Sequence, residues 1–526
     1  MESLTADVVV IGAGLSGLSA AYYIHKTDES LRITVLEAKG RVGGRTYSIK
    51  MKAADNKYDL FDLGGEWVGK PQPHLHYLLN QFNLETFNPQ YLPDSKKLTT
   101  DITFLTKLDL LLFSMKLKWL KNRFEKEEEL GSTVDALQSD GMTFEKYMKA
   151  HLWTKKTYLL VEAAVRSMFG YSPHEMSLLY FIMYIDAAGG LDTFFQPSKY
   201  SGKESRLKGG LLQLSQNLYE VIGNKNVRFN QPVTHIIQLS KEKVVVVTDR
   251  RLQVTCNRVI LAIPPHLAGA IKFNPELPST KMTLLRNVPL AFIIKFCFTY
   301  EESFWITGKN PTSNYGFQSM IHDPECGPIG VVYEATSAKG SPALIGFVSA
   351  SRGLVSKETD SEDRRDVLLN LLQIHLGEKV REYIEFQQKD WSQESYNGGC
   401  FLKSLVPGST RFFSQDLREP FDRVHFAGTE TATVWCGFMN GAIQSGFRTA
   451  IEVLQNLRPS IDARAIEASI MPKEEELPSK PQSTYRSIHW LAALAGIGCL
   501  TVIAIAAYRD HATSAHTKLV YISNDY

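Results

Sequence analysis

Cysteine is scarce in this 526-residue chain: Cys256, Cys297, Cys326, Cys400, Cys436 and Cys499 are the full set of six. They are scattered and form no CxxC pair, which argues against a disulfide framework or a zinc site and fits a reducing compartment. Excess charge is also missing. Fifty-eight basic residues against 56 acidic ones leave a formal net charge of +2. Bulk electrostatics of that size give no reason to expect a nucleic-acid partner. The opening residues, MESLTADVVV, lack a basic segment followed by an apolar one and a small-residue cleavage site, so no signal peptide is expected. No internal repeat is apparent. What is present is an ordinary globular composition, 44% hydrophobic and 22% charged. The length suits more than one domain.

The most informative stretch runs from Asp7 to Arg45. The apolar run Val8 to Ile11 reads as a buried parallel strand. Gly12, Gly14 and Gly17 follow at GxGxxG spacing, then an alanine-containing helix pattern, then a second strand from Ile33 to Leu36 that ends in Glu37. Gly12 permits a tight turn, Gly14 lets backbone approach a pyrophosphate, and Gly17 lets the helix pack close to the strand. The helix N-terminus offers free N–H groups to phosphates, and Glu37 can accept hydrogen bonds from an adenosine ribose. Strand, helix, second strand and acid in this order predict a dinucleotide site.

Further along, Asp59 to Gly69 reads as a strand entering a glycine turn. Leu105 to Phe124 reads as an amphipathic helix, with one core face or, as a second reading, a membrane-surface face. Phe144 to Tyr184 is mainly helical. After Gly209 a second nucleotide-fold-like run is expected: a helix at 211–222 and strands at 227–229, 233–239, 243–247 and 259–262. Asn287 to Tyr300 reads as an apolar strand with a single charge, Lys295. A helix is expected at 363–376, strands at 383–391 and 424–427, and a long helix from about Asn440. Ile488 to Tyr508 contains no Asp, Glu, Lys or Arg. Its length matches a bilayer-crossing helix, with Trp490 and Tyr508 as interface anchors. A buried core helix is the alternative.

GAGLSG, EAKGRVGGR, FDLGG, a lone lysine in the strand after PL, NGGC and FAGTETATVWCGFMNGA occur in that order, followed by the apolar tail. In this the chain resembles the flavin-containing monoamine oxidases of the mitochondrial outer membrane, over nearly its whole length. The resemblance implies FAD, joined by an 8α-S-cysteinyl bond to Cys400. On chemistry alone Cys400 could equally be an inert buried thiol. Arg41, Gly44 and Arg45 stand in the family's second flavin loop. Val233 stands where the family holds the adenine side, and Thr429, Glu430 and Thr431 where it holds the flavin chain and phosphates. The helix after Met439 would point its positive end at the flavin. Lys295 stands where the family's lysine holds a water near the flavin and assists reoxidation. Taken alone, a lysine among apolar residues needs a partner or a lowered pKa, unless it snorkels from a strand edge.

Trp391, Phe401 and Phe438 match the family's aromatic positions beside the flavin. Phe401 and Phe438 replace the usual tyrosines, which keeps flat walls and loses two phenols. Lys203 stands near a cavity position usually held by glutamine. Glu66 and Trp67 replace a smaller, neutral pair.

The expectation is an α/β (α+β) protein with an interleaved two-domain architecture. Residues 1–79, 208–284 and 393–456 form an FAD-binding Rossmann-like domain. Residues 80–207 and 285–392 form a substrate domain with a mixed sheet and helices. A linker at 457–486, a transmembrane anchor at 487–508 and a short tail at 509–526 complete the chain. The implied activity is oxidative deamination of primary or simple secondary amines with O2 to aldehyde, ammonia and hydrogen peroxide. Oxidation of polyamines or amino acids, or a membrane-attached flavoprotein with weakened turnover, are the alternatives. The implied location is the mitochondrial outer membrane with the catalytic part facing the cytosol; the endoplasmic reticulum and a homodimer stay open.

Overall fold

Five parallel strands form the sheet on which the opening stretch is built. Val8–Ile11 lies at its centre between Arg258–Leu261 and Ile33–Leu36, with Val424–Phe426 and Val227–Arg228 at the edges. The computed structural model describes residues 2–88, 103–125, 138–169, 172–187, 190, 205–239, 242–288, 293–307, 329–349, 361–399 and 416–462. Lys203, Cys400, Phe401 and the apolar segment 487–508 lie outside them. Everything below belongs to the compact unit Met1–Met471.

Every side chain of Val8–Ile11 is buried, as a parallel strand covered on both faces requires. Helix Leu15–Thr27 leaves this strand at Gly14 and packs against the closing helix Met439–Leu457. Glycine makes both approaches feasible. A Cβ on Gly17 would lie 2.0 Å from the Gly12 carbonyl oxygen, and one on Gly446 would lie 2.2 Å from that of Ser16. Between the helices Ser16 and Ser445 share a hydrogen bond of 2.9 Å, and both hydroxyls accept from the Gly428 N–H.

The run after Gly209 divides differently from the sequence reading. Of its four expected strands, only Val227–Arg228 and Arg258–Leu261 join the parallel sheet. Val233–Gln238 and Val244–Thr248 pair antiparallel with each other in a second five-stranded sheet. Its other members are Leu252–Cys256, Glu2–Thr5 and Lys272–Asn274. The Leu239 N–H donates to the Lys243 carbonyl across the short connection, closing a hairpin that takes both strands out of the nucleotide sheet.

A third, antiparallel sheet has the order Ile329–Glu334, Ala343–Ser349, Ile293–Thr299, Glu385–Asp390. Ile293–Thr299 is an interior strand, buried at every position. Its period of two sends Ile294, Phe296 and Phe298 into a core with Leu368, Leu369 and Leu372 of helix Ser361–Leu376. Cys297 packs on the opposite face with Met51, Phe61 and Leu63. Lys295 shares the Cys297 face, so it does not snorkel from a sheet edge. Met51 and Phe61 come from a hairpin of Ser48–Ala53 with Lys57–Asp62, of which the sequence reading anticipated only the second strand.

Helix Phe104–Glu125 buries Phe113, Leu117 and Leu120 while exposing Phe104, Leu111, Met115 and Trp119. Among the described residues no helix is long and apolar enough to cross a membrane.

Candidate functional site

The glycine turn forms a cradle made of backbone. Gly12 has φ +103°, a region that L side chains rarely adopt, and a Cβ there would meet the Ala262 carbonyl oxygen at 2.6 Å. Gly14 is the N-cap of helix Leu15–Thr27, and no side chain caps that helix. A Cβ on Gly14 would meet only the Gly44 Cα, at 4.0 Å. The second loop is tied to the first by the Gly43 N–H, which donates to the Ala13 carbonyl at 2.9 Å. An uncapped helix end beside a wall of glycine gives phosphate oxygens both N–H donors and room.

Glu37 braces this turn. One carboxylate oxygen accepts from the Ala13 N–H at 2.7 Å and the other from the Lys39 N–H at 2.9 Å. Burial pushes its carboxyl up despite those bonds. Each oxygen retains a lone pair for a hydroxyl. The Gln231 N–H donates to the Glu37 carbonyl at 2.9 Å, which brings the segment before half-buried Val233 to the same place.

Both loop arginines have carboxylate partners. Arg45 makes a two-pronged contact with Glu430, at 2.6 and 3.1 Å. Glu430 belongs to the buried turn Thr429–Thr431. Burial would raise the Glu430 carboxyl, but the Arg45 charge and hydrogen bond outweigh it and hold it low. Arg41 donates to Glu394 at 2.8 Å and to the Gly44 carbonyl at 3.0 Å. Glu394 also binds Lys39, at 2.7 Å, and Lys389. Burial opposes ionisation of Glu394, and hydrogen bonds from Lys389, Lys39 and Arg41 prevail, drawing its carboxyl down to about 2. Sequence reasoning missed Glu394, which lies 353 positions from Arg41 and carries no local signal.

Lys295 has a partner. Its ammonium donates to Glu66 Oε2 at 2.6 Å and to the Gly64 carbonyl at 3.0 Å. The Tyr333 hydroxyl donates to the same Glu66 oxygen at 2.7 Å. On the other carboxylate oxygen, Arg206 Nε lies 2.9 Å away, too far off the N–H direction for a hydrogen bond, so the contact is ionic. Burial alone would lift the Glu66 carboxyl; the Lys295 and Arg206 charges hold it below its ordinary range. Glu66 was visible in the sequence as an unusual acid after DLGG. Arg206 and Tyr333 were not foreseen.

The Glu66 loop ties this cluster to two other expected residues. Trp391, buried, donates its indole N–H to the Leu63 carbonyl at 2.9 Å. A Cβ on Gly65 would lie 3.3 Å from the Met439 sulfur. Met439 begins the closing helix, with Phe438 as N-cap. Thr429 donates its hydroxyl to the Phe438 carbonyl at 2.9 Å. The Phe438 ring packs edge-on to Trp435, with centroids 5.1 Å apart, and tilted to Tyr184 at 6.0 Å. Neither of these neighbours was singled out from sequence.

Cradle and cluster thus sit on one continuous framework, that of a dinucleotide-binding protein with a buried cation beside it. The sequence matches the model of the flavin containing amine oxidoreductases over residues 15–454. It is 31% identical to amine oxidase [flavin-containing] A of Bos taurus over 522 residues, 96% of each chain. It is 30% identical to amine oxidase [flavin-containing] B of Homo sapiens over 534 residues, covering 95% of this chain and 96% of that one. A putrescine oxidase bound to putrescine shares its structure with a TM-score of 0.74 at 25% identity, covering 86% of this chain and 99% of the other. The chain belongs to the flavin containing amine oxidoreductase family and is an FAD-dependent amine oxidase. FAD fits the cradle: the open space beside Gly14 and the uncapped helix end suit a pyrophosphate, and Glu37 suits a ribose.

Proposed function

We propose that the protein oxidises primary and simple secondary monoamines with an apolar or aromatic body, using O2 and water and yielding aldehyde, hydrogen peroxide and ammonia (from a secondary amine, the corresponding primary amine). The observation that carries the choice of monoamine is the state of Glu66. Lys295, Arg206 and Tyr333 occupy its carboxylate, which leaves no anion there for the second ammonium of a diamine. Bound FAD supplies the two-electron acceptor. Gly12, Gly14, Gly17, Glu37, Arg41, Gly44, Arg45, Val233, Thr429, Glu430 and Thr431 hold it, with Cys400 as the point of thioether attachment. Phe401 and Phe438 form the two flat walls for the neutral amine, and Trp391 is the third aromatic. The start of the helix at Met439 offers its positive end to negative charge on the flavin. Lys295 holds a water and assists the oxygen step.

Likeness to a putrescine oxidase keeps a second reading, polyamine oxidation, in view. By the resemblance Lys203 stands near a cavity position, where a cation would repel a protonated amine or attract an acidic substrate group, which keeps amino-acid oxidation in view as well. A peroxide-release assay over arylalkylamines, polyamines and amino acids decides. Arylalkylamine turnover supports our reading, polyamine-only or amino-acid-only turnover replaces it, and silence throughout sinks the oxidase claim for these substrates.

The division of the chain into an FAD domain and a substrate domain at the boundaries given above belongs to the same reading. So do a tail anchor at 487–508 in the mitochondrial outer membrane, a catalytic part facing the cytosol, and a homodimer. The apolar stripe Phe104, Leu111, Met115 and Trp119 supports membrane proximity. Full-length protein that needs no detergent would refute the anchor. Flavin released completely by acid precipitation would refute the bond to Cys400.

A further inference from the structure

The buried cluster contains one more cation than the lysine needs. Lys295 and Glu66 alone would form a neutral, satisfied pair. Arg206, from strand Ser205–Leu207, adds a third charge whose side chain is only 6% exposed. Its guanidinium lies over the Trp67 ring, 4.6 Å from the centroid, and 5.7 Å from that of Tyr333. It also donates to the Glu334 carbonyl at 2.5 Å and, more weakly, to the Thr336 carbonyl at 3.5 Å. Two ring faces and two carbonyls fix this cation, although burying it is unfavourable.

We propose that Arg206 offsets the charge that Glu66 subtracts from Lys295, and that the positive charge so retained stabilises negative charge developing beside the flavin when oxygen is reduced. This rests on the reading that Lys295 faces the flavin. The Glu66 loop links the cluster to Trp391 and Met439. The ammonium of Lys295 donates to Glu66 and Gly64 and lies over the Phe347 ring, 5.4 Å from its centroid, so its described contacts include one carboxylate and no second.

In the oxygen step O2 takes up two electrons and two protons and leaves as hydrogen peroxide. The anionic reduced flavin gives both electrons and one proton, and solvent gives the other proton. The first electron places negative charge on oxygen, where a fixed cation in a poorly solvated site lowers its energy. Two other carboxylates face the cluster. Asp62 accepts from the Ser48 hydroxyl and the Leu211 N–H, and Glu334 accepts from the Thr336 N–H. They are common to all the variants below, so the comparison isolates Arg206 and Glu66.

The test uses full-length, FAD-loaded protein without amine. Each variant is reduced with dithionite and mixed with oxygenated buffer, and its flavin midpoint potential is titrated anaerobically. Arg206→Gln should slow the oxygen reaction about tenfold, the scale of one unit charge several ångströms away at an effective dielectric near 20. It should also lower the midpoint potential. Arg206→Lys should stay near the parent in both readouts. Glu66→Gln/Arg206→Gln removes one charge of each sign and should restore both.

An Arg206→Gln protein with parent rate and potential overturns the proposal, as does a double variant as slow as Arg206→Gln. If the single variant does not fold, the double variant and Arg206→Lys decide, because both retain the charge and must match the parent. Failure of every amine to reduce the flavin would refute the proposed function and leave these amine-free measurements intact.

Discussion

The cradle at Gly12, Gly14 and Gly17 is made of backbone and vacant space, whereas the cluster at Lys295, Glu66 and Arg206 is made of charge. In the first, specificity comes from side chains that are not there. A Cβ at Gly17 meets backbone at 2.0 Å, while one at Gly14 meets nothing closer than 4.0 Å. In the second, specificity comes from side chains that tolerate burial only in one another's company. The cradle should therefore fail by collision and the cluster by loss of a counter-charge.

The largest effect should come from the cradle. Gly17→Val drives a side chain into the Gly12 carbonyl, and we expect loss of bound flavin with destabilisation of about 4 kcal/mol or more. Gly14→Ala separates collision from ligand space: near-parent thermal unfolding with weakened flavin binding is expected. Flavin absorbance per protein and the melting temperature report both. Equal collapse of the two variants would erase the distinction.

Next comes Glu66→Leu, which strands two buried cations. Destabilisation of about 3 to 5 kcal/mol is expected in denaturant titration. A loss below about 1 kcal/mol would place the pair among exposed bridges instead.

Protonation probes the same contrast more gently. Burial raises the Asp62 carboxyl from 3.8 to about 6, ahead of the opposing Ser48 bond. A raised acid stabilises the fold below its unfolded pKa, and that stability is lost as pH rises through the folded value. Stability should thus fall by about 3 kcal/mol between pH 3.8 and about 6 from this group, and Asp62→Asn should remove the slope. Glu394 has the opposite sign. Its contribution is present above pH 4.5 and is lost as pH falls through about 2. Glu394→Gln should cost only about 1 kcal/mol, because solvent reaches its neighbours. A larger loss than for Glu66→Leu would invert the comparison.

The cradle was legible because strand, glycines, helix and acid lie within one short stretch, and each has a local physical signature. Lys295 was legible for a related reason, as a charge in an apolar strand must be accounted for. Its counter-ion was half legible: Glu66 stood out as an odd residue, but nothing local linked it to a lysine 229 positions away. Arg206 and Tyr333 gave no signal, because their meeting is decided by how separate strands are stacked. The same limit explains the hairpin of Val233–Gln238 with Val244–Thr248. An apolar run announces a strand without announcing its sheet. The residues expected at 203, 400 and 401 fall outside the described structure and contribute to neither side.

The bond between Ser16 and Ser445 carries a consequence for biosynthesis. The first helix of the chain, Leu15–Thr27, finds its packing partner in Met439–Leu457, where Ser445 is translated 429 residues after Ser16. Val424–Phe426 likewise completes an edge of the sheet whose central strand was made at the start. Loop closure over so many residues is entropically slow. On the ribosome the glycine turn therefore waits, exposed and unable to grip its cofactor, until almost the whole polypeptide has emerged. A chain that terminates early is left with a flavin site that never closes.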